Sequence, residues 1–342
     1  MYYPRVTIVM LNFNGLSDTI TCIKSLLKTK YPNFKAIIAD NGSRIDEAKI
    51  LSEEFKDKRL KFVRFPKNLG FSGGNNKILR KLKDKYVVLL NNDTEVTPNW
   101  LSPLIKILEN NSKIAIVQPK ILWLTNKKYF DYAGACGGFI DIFGYPFTRG
   151  RIFDTKERDR GQYDTITDIF WASGAAMAIR RSIFDKVGYL DERFFNYMEE
   201  IDLCFRIHRT GFRVVCNPKS VIYHKGAASS AGNQMKKRYW EHKNSLLLLA
   251  KNYPISKLIY ILPIRIFLEY VSLVYYLFNM QFSYALSVVL SQISLLRITP
   301  SIIFKNNISD KQIVNRDLIL NKSIVLDYFI FNKNKFSQLK IL

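Results

Sequence analysis

YVVLLNNDTEV, residues 86–96, is the stretch on which the fold is read. Tyr86 to Leu90 is a continuous apolar run, too short for a helix and typical of a strand covered on both faces, as in a parallel sheet. The run passes directly into Asn91, Asn92 and Asp93, so the strand carries amides and a carboxylate to its own C-terminal end. One carboxylate among amides suits Mg2+ or Mn2+, which take one or two oxygens from protein and the rest from phosphate and water. Asp93 is the candidate metal ligand. The competing reading of NNDT is a turn closed by Asx hydrogen bonds.

Outward from this strand, β-branched runs and helical patterns alternate from Val6 to about Ser230. Strands are expected at Val6–Leu11, Ala36–Asp40, Lys61–Arg64 and Tyr86–Asn91, with helices at Ser17–Thr29, Ile45–Phe55 and Gly73–Lys83. That alternation predicts an α/β fold with a parallel or mixed sheet and crossover helices. The strands end in Asn12 and Asn14, in Asp40, Asn41 and Ser43, and in Asn91, Asn92 and Asp93. Carboxyl ends of strands line the ligand crevice of open α/β sheets.

Two further clusters carry chemistry. NLGFSGGNN, residues 68–76, is a glycine-rich turn into a helix, able to bring backbone N–H groups close to a diphosphate or sugar. It matches neither GxGxxG nor GxxxxGK[ST], which removes support from hydride transfer and P-loop chemistry. FFNYMEEIDLCFR, residues 194–206, places Glu199, Glu200 and Asp202 beside hydrophobes, conditions that raise a carboxyl pKa and suit a general base. The bland alternative is acids favouring a helix N-terminus. His224, in VIYHKG, follows a β-like run and is a candidate metal or phosphate ligand, though a lone histidine is more often structural.

The chain has 342 residues, 48% hydrophobic and 14% aromatic, which excludes global disorder and allows two units. Its net charge of +23 calls for an anionic partner: nucleic acid, an anionic membrane or a phosphorylated small molecule. The basic residues are spread along the chain without zinc ligands or an RRM-type aromatic signature, which argues against nucleic acid. Cys22, Cys136, Cys204 and Cys216 form no CxxC pair and fit a reducing compartment, and the N-terminal apolar stretch is too short for a signal peptide's core. Folding in the cytoplasm is the expectation.

Composition shifts after Lys236. KKRYWEHK, residues 236–243, is basic and aromatic, and no charged residue occurs from Tyr270 to Leu296, a length above the roughly 20 residues of a membrane helix. Asn279, Gln281 and Gln292 interrupt this span, and Arg265 and Glu269 stand at i, i+4 spacing before it. Three readings stay open: a transmembrane or re-entrant span, helices in the bilayer interface, or a soluble helical layer. The expected division is a catalytic unit over 1–235 and a basic, apolar, membrane-associating helical region over 236–342.

The ordered set VTIVMLNFNG, ADNGS, NLGFSGGNN, LLNNDTEV, WASGAAMAIRRSIFDKVGYLDERFF, YMEEIDLCFR and VIYHKG resembles the inverting family 2 glycosyltransferases, most of all their bacterial rhamnosyltransferase-like branch. The resemblance covers about Arg5 to Ser230. It implies a GT-A fold, a nucleotide-diphosphate sugar donor, dTDP- or UDP-linked, and a divalent metal. It further implies that Asn12, Asn14, Asp40 and Asn41 border the nucleotide, and that Gly70, Ser72, Gly73 and Asn76 form a loop over the donor. Asn91, Asn92 and Asp93 then occupy a DxD position, with Asn91 replacing its first acid and Asp93 left to bind the metal, joined by His224. Trp171, Ser173 and Gly174 match a loop facing the acceptor. The family's base is the Asp of an ED pair, which here is Glu199 followed by Glu200. The acceptor implied is a glycan, commonly lipid-linked, at an anionic inner membrane surface that would attract Lys236, Lys237, Arg238 and Lys243. Two rival classes are a nucleic-acid-binding protein and a sugar nucleotidyltransferase, whose glycine-rich, lysine-containing loop after the first strand is replaced here by NFNGLSD.

Overall fold

The computed structural model describes residues 3–131, 133–226, 234–303, 316–339 and 341. The expected end of the α/β alternation at Ser230 lies outside them, as do residues 304–315. The first half follows the predicted alternation: β1 (Val6–Asn12), α1 (Leu16–Leu26), β2 (Phe34–Asp40), α2 (Glu47–Glu54), β3 (Leu60–Arg64), α3 (Gly70–Leu79) and β4 (Tyr86–Leu90). Then come β5 (Thr94–Val96), α4 (Leu101–Asn110), β6 (Ile114–Trp123), β7 (Gly138–Asp141), β8 (Pro146–Thr148), β9 (Arg151–Ile152), β10 (Thr155–Lys156), β11 (Thr167–Asp168) and β12 (Ala176–Arg180). The remainder is α5 (Ile183–Val187), α6 (Glu199–Arg209), β13 (Arg213–His224), α7 (Gln234–Asn252), α8 (Ile255–Phe278), α9 (Phe282–Ile303), β14 (Ile319–Leu320) and α10 (Ile324–Phe329).

The main sheet runs in the order β11, β13, β6, β12, β4, β1, β2, β3, with β5 also on β13. Strands β3, β2, β1 and β4 are parallel, β12 is antiparallel to both neighbours, and β13 is again parallel to β6. Alternate residues of one strand enter different cores: Val87 and Leu89 face one cluster, Tyr86, Val88 and Leu90 the other. Both faces of β4 are therefore covered, which is why its sequence is apolar without alternation. Strand order reverses between β1 and β4, so a crevice opens where Asn12 and Asn91 end their strands.

A second sheet runs in the order β10, β9, β8, β7, β14, and Gly138 at its β7 bridges to Trp171. Its last strand comes from the far end of the chain, where Ile319 and Leu320 pair with Ile140 and Asp141. The C-terminal helices also pack on the α/β unit. Lys251 of α7 bridges Asp191 and Asp202, and Asn252 donates to Asp202 at 2.9 Å.

The charge-free span expected from Tyr270 to Leu296 is not one helix. It breaks at Asn279–Gln281, where Met280 takes a left-handed φ of 57°, and α8 and α9 form a hairpin. The polar Asn279 and Gln281 thus mark a turn. Among the described residues one helix, Ile255–Phe278, is long and apolar enough to cross a membrane, by length and composition only, and its mean hydropathy is 1.7.

Candidate active site

β1 ends in Asn12, which is fully buried and fully engaged. Its amide donates to Glu47 Oε2 at 2.6 Å, and its Oδ1 accepts from Gly15 N at 3.1 Å, Thr19 Oγ1 at 3.0 Å and Asn92 Nδ2 at 3.3 Å. Asn12 and Asn92 therefore brace the β1 and β4 turns against each other. Asn14 adopts a left-handed φ of 50° and exchanges hydrogen bonds with the β2 turn, receiving from Arg44 N and donating its own N–H to Ser43 Oγ. Asp40 accepts from Ser43 N at 2.8 Å, and its other oxygen, Oδ2, is buried without a hydrogen-bond partner. Asn41 fastens the next turn, accepting from Leu69 N and donating to Gly70 O.

The glycine-rich stretch differs from expectation. Gly70 to Asn76 are already helical, and the first N–H groups of α3 are taken: Phe71 N donates to Phe195 O and Asn196 Oδ1, both at 2.8 Å, and Ser72 N to Phe195 O. A side chain at Gly70 would meet Phe195 O at 2.5 Å, so the glycine lets the loop before Glu199 dock on this helix end. Gly73 lies against Leu69 on the same turn. Asn76 binds Leu190 through both ends of its amide, and Ser72 Oγ is buried without a partner.

A cavity of about 500 Å³ gathers a second group: Asn91, Asp93, Trp171, Ser173, Gly174, Glu199, Glu200 and His224. Asn12, Asn14, Asp40, Asn41, Gly70, Ser72, Gly73, Asn76 and Asn92 are not on its wall. Trp171 donates from Nε1 to Phe139 O at 2.9 Å, and Ser173 is held by Gln118 through its N–H. Gly174 leaves room for the Phe71 ring, 3.0 Å from where a Cβ would stand.

Asp202 faces away from this cavity and is not brought into it. It is fully buried between Arg206, Lys251 and Asn252, and although burial opposes its charge, those cations hold its pKa below the usual value. It joins α6 to α7. Glu199 and Glu200 behave oppositely. Burial raises both, and the charge of Glu200 raises Glu199 further; Glu200 is pushed up to about 7. Each has a buried Oε2 with no hydrogen-bond partner.

The loop that presents this pair is strained, since Phe195, Tyr197 and Met198 all have left-handed φ, 61°, 70° and 73°. Such residues cost on the order of 1 kcal/mol or more each. Asn244 of α7 opposes that cost: its Nδ2 donates to Phe194 O and Asn196 O at 2.7 Å and to Tyr197 O at 2.9 Å. Lys243 adds a bond to Arg193 O at 2.9 Å. The sequence offered no signal for this clamp, because its partners are about 50 residues apart.

Across the cavity, Asp93 Oδ1 stands 3.1 Å from His224 Nε2, and His224 Nδ1 is 2.8 Å from Asp131 Oδ2. Burial disfavours charge on His224, but the two carboxylates outweigh it and raise its pKa to about 10. Burial also opposes charge on Asp93, and His224 brings its pKa below the usual value. A carboxylate oriented on the far nitrogen of an imidazole is the arrangement that readies a histidine for a metal. His224 Nε2 has no well-aligned hydrogen bond and faces the cavity beside Asp93, so this pair fits a divalent ion that takes the place of the Nε2 proton. No group of three or more His, Cys, Asp or Glu among the described residues forms a complete cage, leaving the rest of the shell to a bound ligand. Asp131 was not legible beforehand; it follows an unremarkable YF pair.

The wall also includes Tyr145, Arg151 and Phe153 from the second sheet and Lys237, His242, Arg265 and Glu269 from α7 and α8, none expected in the site.

The sequence is 28% identical over 244 residues to the O-antigen biosynthesis protein RfbC of Myxococcus xanthus, covering 69% of this chain and 18% of that one. This chain thus spans under a fifth of that relative. It is 25% identical over 239 residues to N-acetylglucosaminyl-diphospho-decaprenol L-rhamnosyltransferase of Mycobacterium tuberculosis, covering 66% of this chain and 76% of the relative. Mannosyltransferase PcManGT from Pyrobaculum calidifontis, solved with GDP-Man and Mn2+, superposes with a TM-score of 0.53 at 13% identity, over 89% of this chain and 80% of its own. That likeness establishes the GT-A fold. Residues 7–188, more than half the chain, match Glycosyl transferase family 2. With the mixed sheet and the carboxylate cavity beyond the end of β4, the chain belongs to the family 2 glycosyltransferases.

Proposed function

We propose that this glycosyltransferase moves a sugar, rhamnose first among the candidates, from a dTDP- or UDP-linked donor to a hydroxyl of a lipid-linked cell-surface glycan precursor, with inversion. The observation that carries the reading is the pair of buried, unpartnered carboxylate oxygens of Glu199 and Glu200 facing Asp93 and His224 across one cavity. Glu200, with a pKa near neutrality, takes the proton of the acceptor hydroxyl as that oxygen attacks the anomeric carbon. The bonding pair of the broken C–O bond leaves with the nucleoside diphosphate, and no covalent intermediate forms on the protein.

Asp93 and His224 would hold the divalent ion, which supplies positive charge where the diphosphate departs. One oxygen and one imidazole nitrogen suit Mn2+ better than Mg2+, a harder ion. Asp40, at the end of β2 and ion-paired with Arg64 at 3.5 Å, is assigned to the nucleoside. The relatives' names support a glycan acceptor, and that of the Mycobacterium enzyme supports a prenyl diphosphate link. The basic residues of α7 and the exposed apolar face of the α8–α9 hairpin support work at the inner face of an anionic membrane.

Purified full-length protein screened against dTDP-rhamnose and UDP-hexoses, with Mn2+, Mg2+ or excess EDTA, tests the reading through released nucleoside diphosphate. Mn2+-dependent release is expected, and Asp93→Ala should lose it with the fold intact. Turnover indifferent to EDTA sinks the metal site; release from no sugar nucleotide sinks the donor assignment.

A further inference from the structure

Family membership rests on the first half of the chain, yet the catalytic cavity continues past Glu200 to a wall made by α7 and α8. Lys237, Arg238, His242, Arg265, Glu269 and Tyr276 stand on that wall. Arg265 is fully buried. Its guanidinium donates to Phe143 O at 2.8 Å and Ser245 Oγ at 2.5 Å, lies 3.3 Å from Glu269 Oε1 and stacks 3.7 Å above the Tyr145 ring. Its Nε has no hydrogen-bond partner. Glu269 Oε2 in turn holds His242 Nδ1 at 2.5 Å.

Buried ion pairs seldom stabilise a protein more than apolar residues of the same size, so a helix serving only to dock on lipid gains nothing from this network. An unpaired buried N–H donor has lost its water without compensation, a loss that a ligand oxygen removes. Lys237 and Arg238 pair with Glu241 and Arg265 with Glu269, so this wall holds one cation more than it holds carboxylates. Tyr276 borders the cavity, while its neighbour Tyr275 and the nearby Phe278 are exposed on the apolar outer face of α8. A ligand reaching from the wall to that face is anionic at one end and hydrocarbon at the other.

We propose that α7 and α8 form the acceptor subsite, in which Arg265 and His242, set in place by Glu269, hold the diphosphate of a lipid-linked acceptor while its hydrocarbon lies along the outer face of α8. The inference rests on the lipid-linked acceptor proposed above, and gives it an address in the C-terminal part of the chain.

The test uses the full-length protein in detergent micelles with farnesyl diphosphate as probe, and farnesol, inorganic pyrophosphate and UDP for comparison. Farnesyl diphosphate should bind at least 10-fold more tightly than farnesol or pyrophosphate, and UDP should not displace it. His242→Gln and Lys237→Gln, both on less enclosed residues than Arg265, should each weaken the probe 5-fold or more and leave the UDP affinity within twofold. The inference is overturned if farnesol binds as well as its diphosphate, if UDP displaces the probe, or if both variants bind it as the parent does. Failure of the protein to bind any nucleotide would instead strike at the donor reading and leave the lipid site standing.

Discussion

Glu199 and Glu200 are neighbours in sequence with different burdens. Burial alone lifts Glu200, whereas Glu199 carries burial and the charge beside it. Glu199 is therefore the more strongly raised member, and Glu200 the one that exchanges a proton near neutral pH. A base works as the carboxylate, so transfer should rise with pH through about 7 and level off above it. Glu200→Gln should remove that limb and lower kcat by at least about 10²-fold, the usual scale for a lost general base, while Glu199→Gln keeps the limb and costs less. Steady-state pH profiles of the two variants decide this, and a reversed ranking makes Glu199 the base. The pair was legible because acids beside hydrophobes are unusual. Asp202 looked equivalent in sequence, yet one turn of helix points it at Arg206 and Lys251 instead.

Among the elements, those set by local patterning could be read ahead of the structure. The parallel strands β1 to β4 and the helices between them follow from apolar periodicity and fall within a few residues of expectation. The two- to four-residue strands of the second sheet carry no periodic signal, and β14 reaches β7 across nearly 180 positions. The basic residues of α7 point to an anionic surface, and nothing local announces that Asn244 of the same helix grips three carbonyls of a strained loop. Asn244→Leu takes one donor from each of those carbonyls, of which Phe194 O keeps its bond from Asn196 N, and should cost about 1–3 kcal/mol, the scale for a buried group left unpaired. Because the loop carries Glu199 and Glu200, kcat should fall at least 10-fold while donor KM changes little. Thermal melting and steady-state kinetics check the two halves together; a stable variant with normal kcat removes Asn244 from the clamp.

At the level of the whole molecule, the hairpin presents Ile259, Phe267, Tyr275 and Phe278 on α8 and Phe282, Ile293 and Leu296 on α9 to the outside. Buried apolar surface is worth roughly 25 cal/mol per Å², so this face gains by meeting lipid, and each nearby basic residue adds about 1 kcal/mol at an anionic surface. Full-length protein should co-sediment with anionic liposomes, less so as salt screens the charges. Phe267→Glu with Phe278→Glu should release it without disturbing the interior, since both side chains are well exposed, 65% and 85%. Binding that ignores both salt and these substitutions assigns the face to another partner.

The second sheet's last strand also sets a clock. Glu200 emerges from the ribosome about 120 residues before Leu320, in the strand that completes the second sheet. At roughly 5–20 residues per second, about 6–24 s separate synthesis of the base from synthesis of that strand. During this interval the nascent chain carries its carboxylates beside an incomplete second sheet, whose Pro146, Phe147, Thr148 and Arg151 line the cavity, so an unfinished polypeptide is poorly equipped to spend sugar nucleotide.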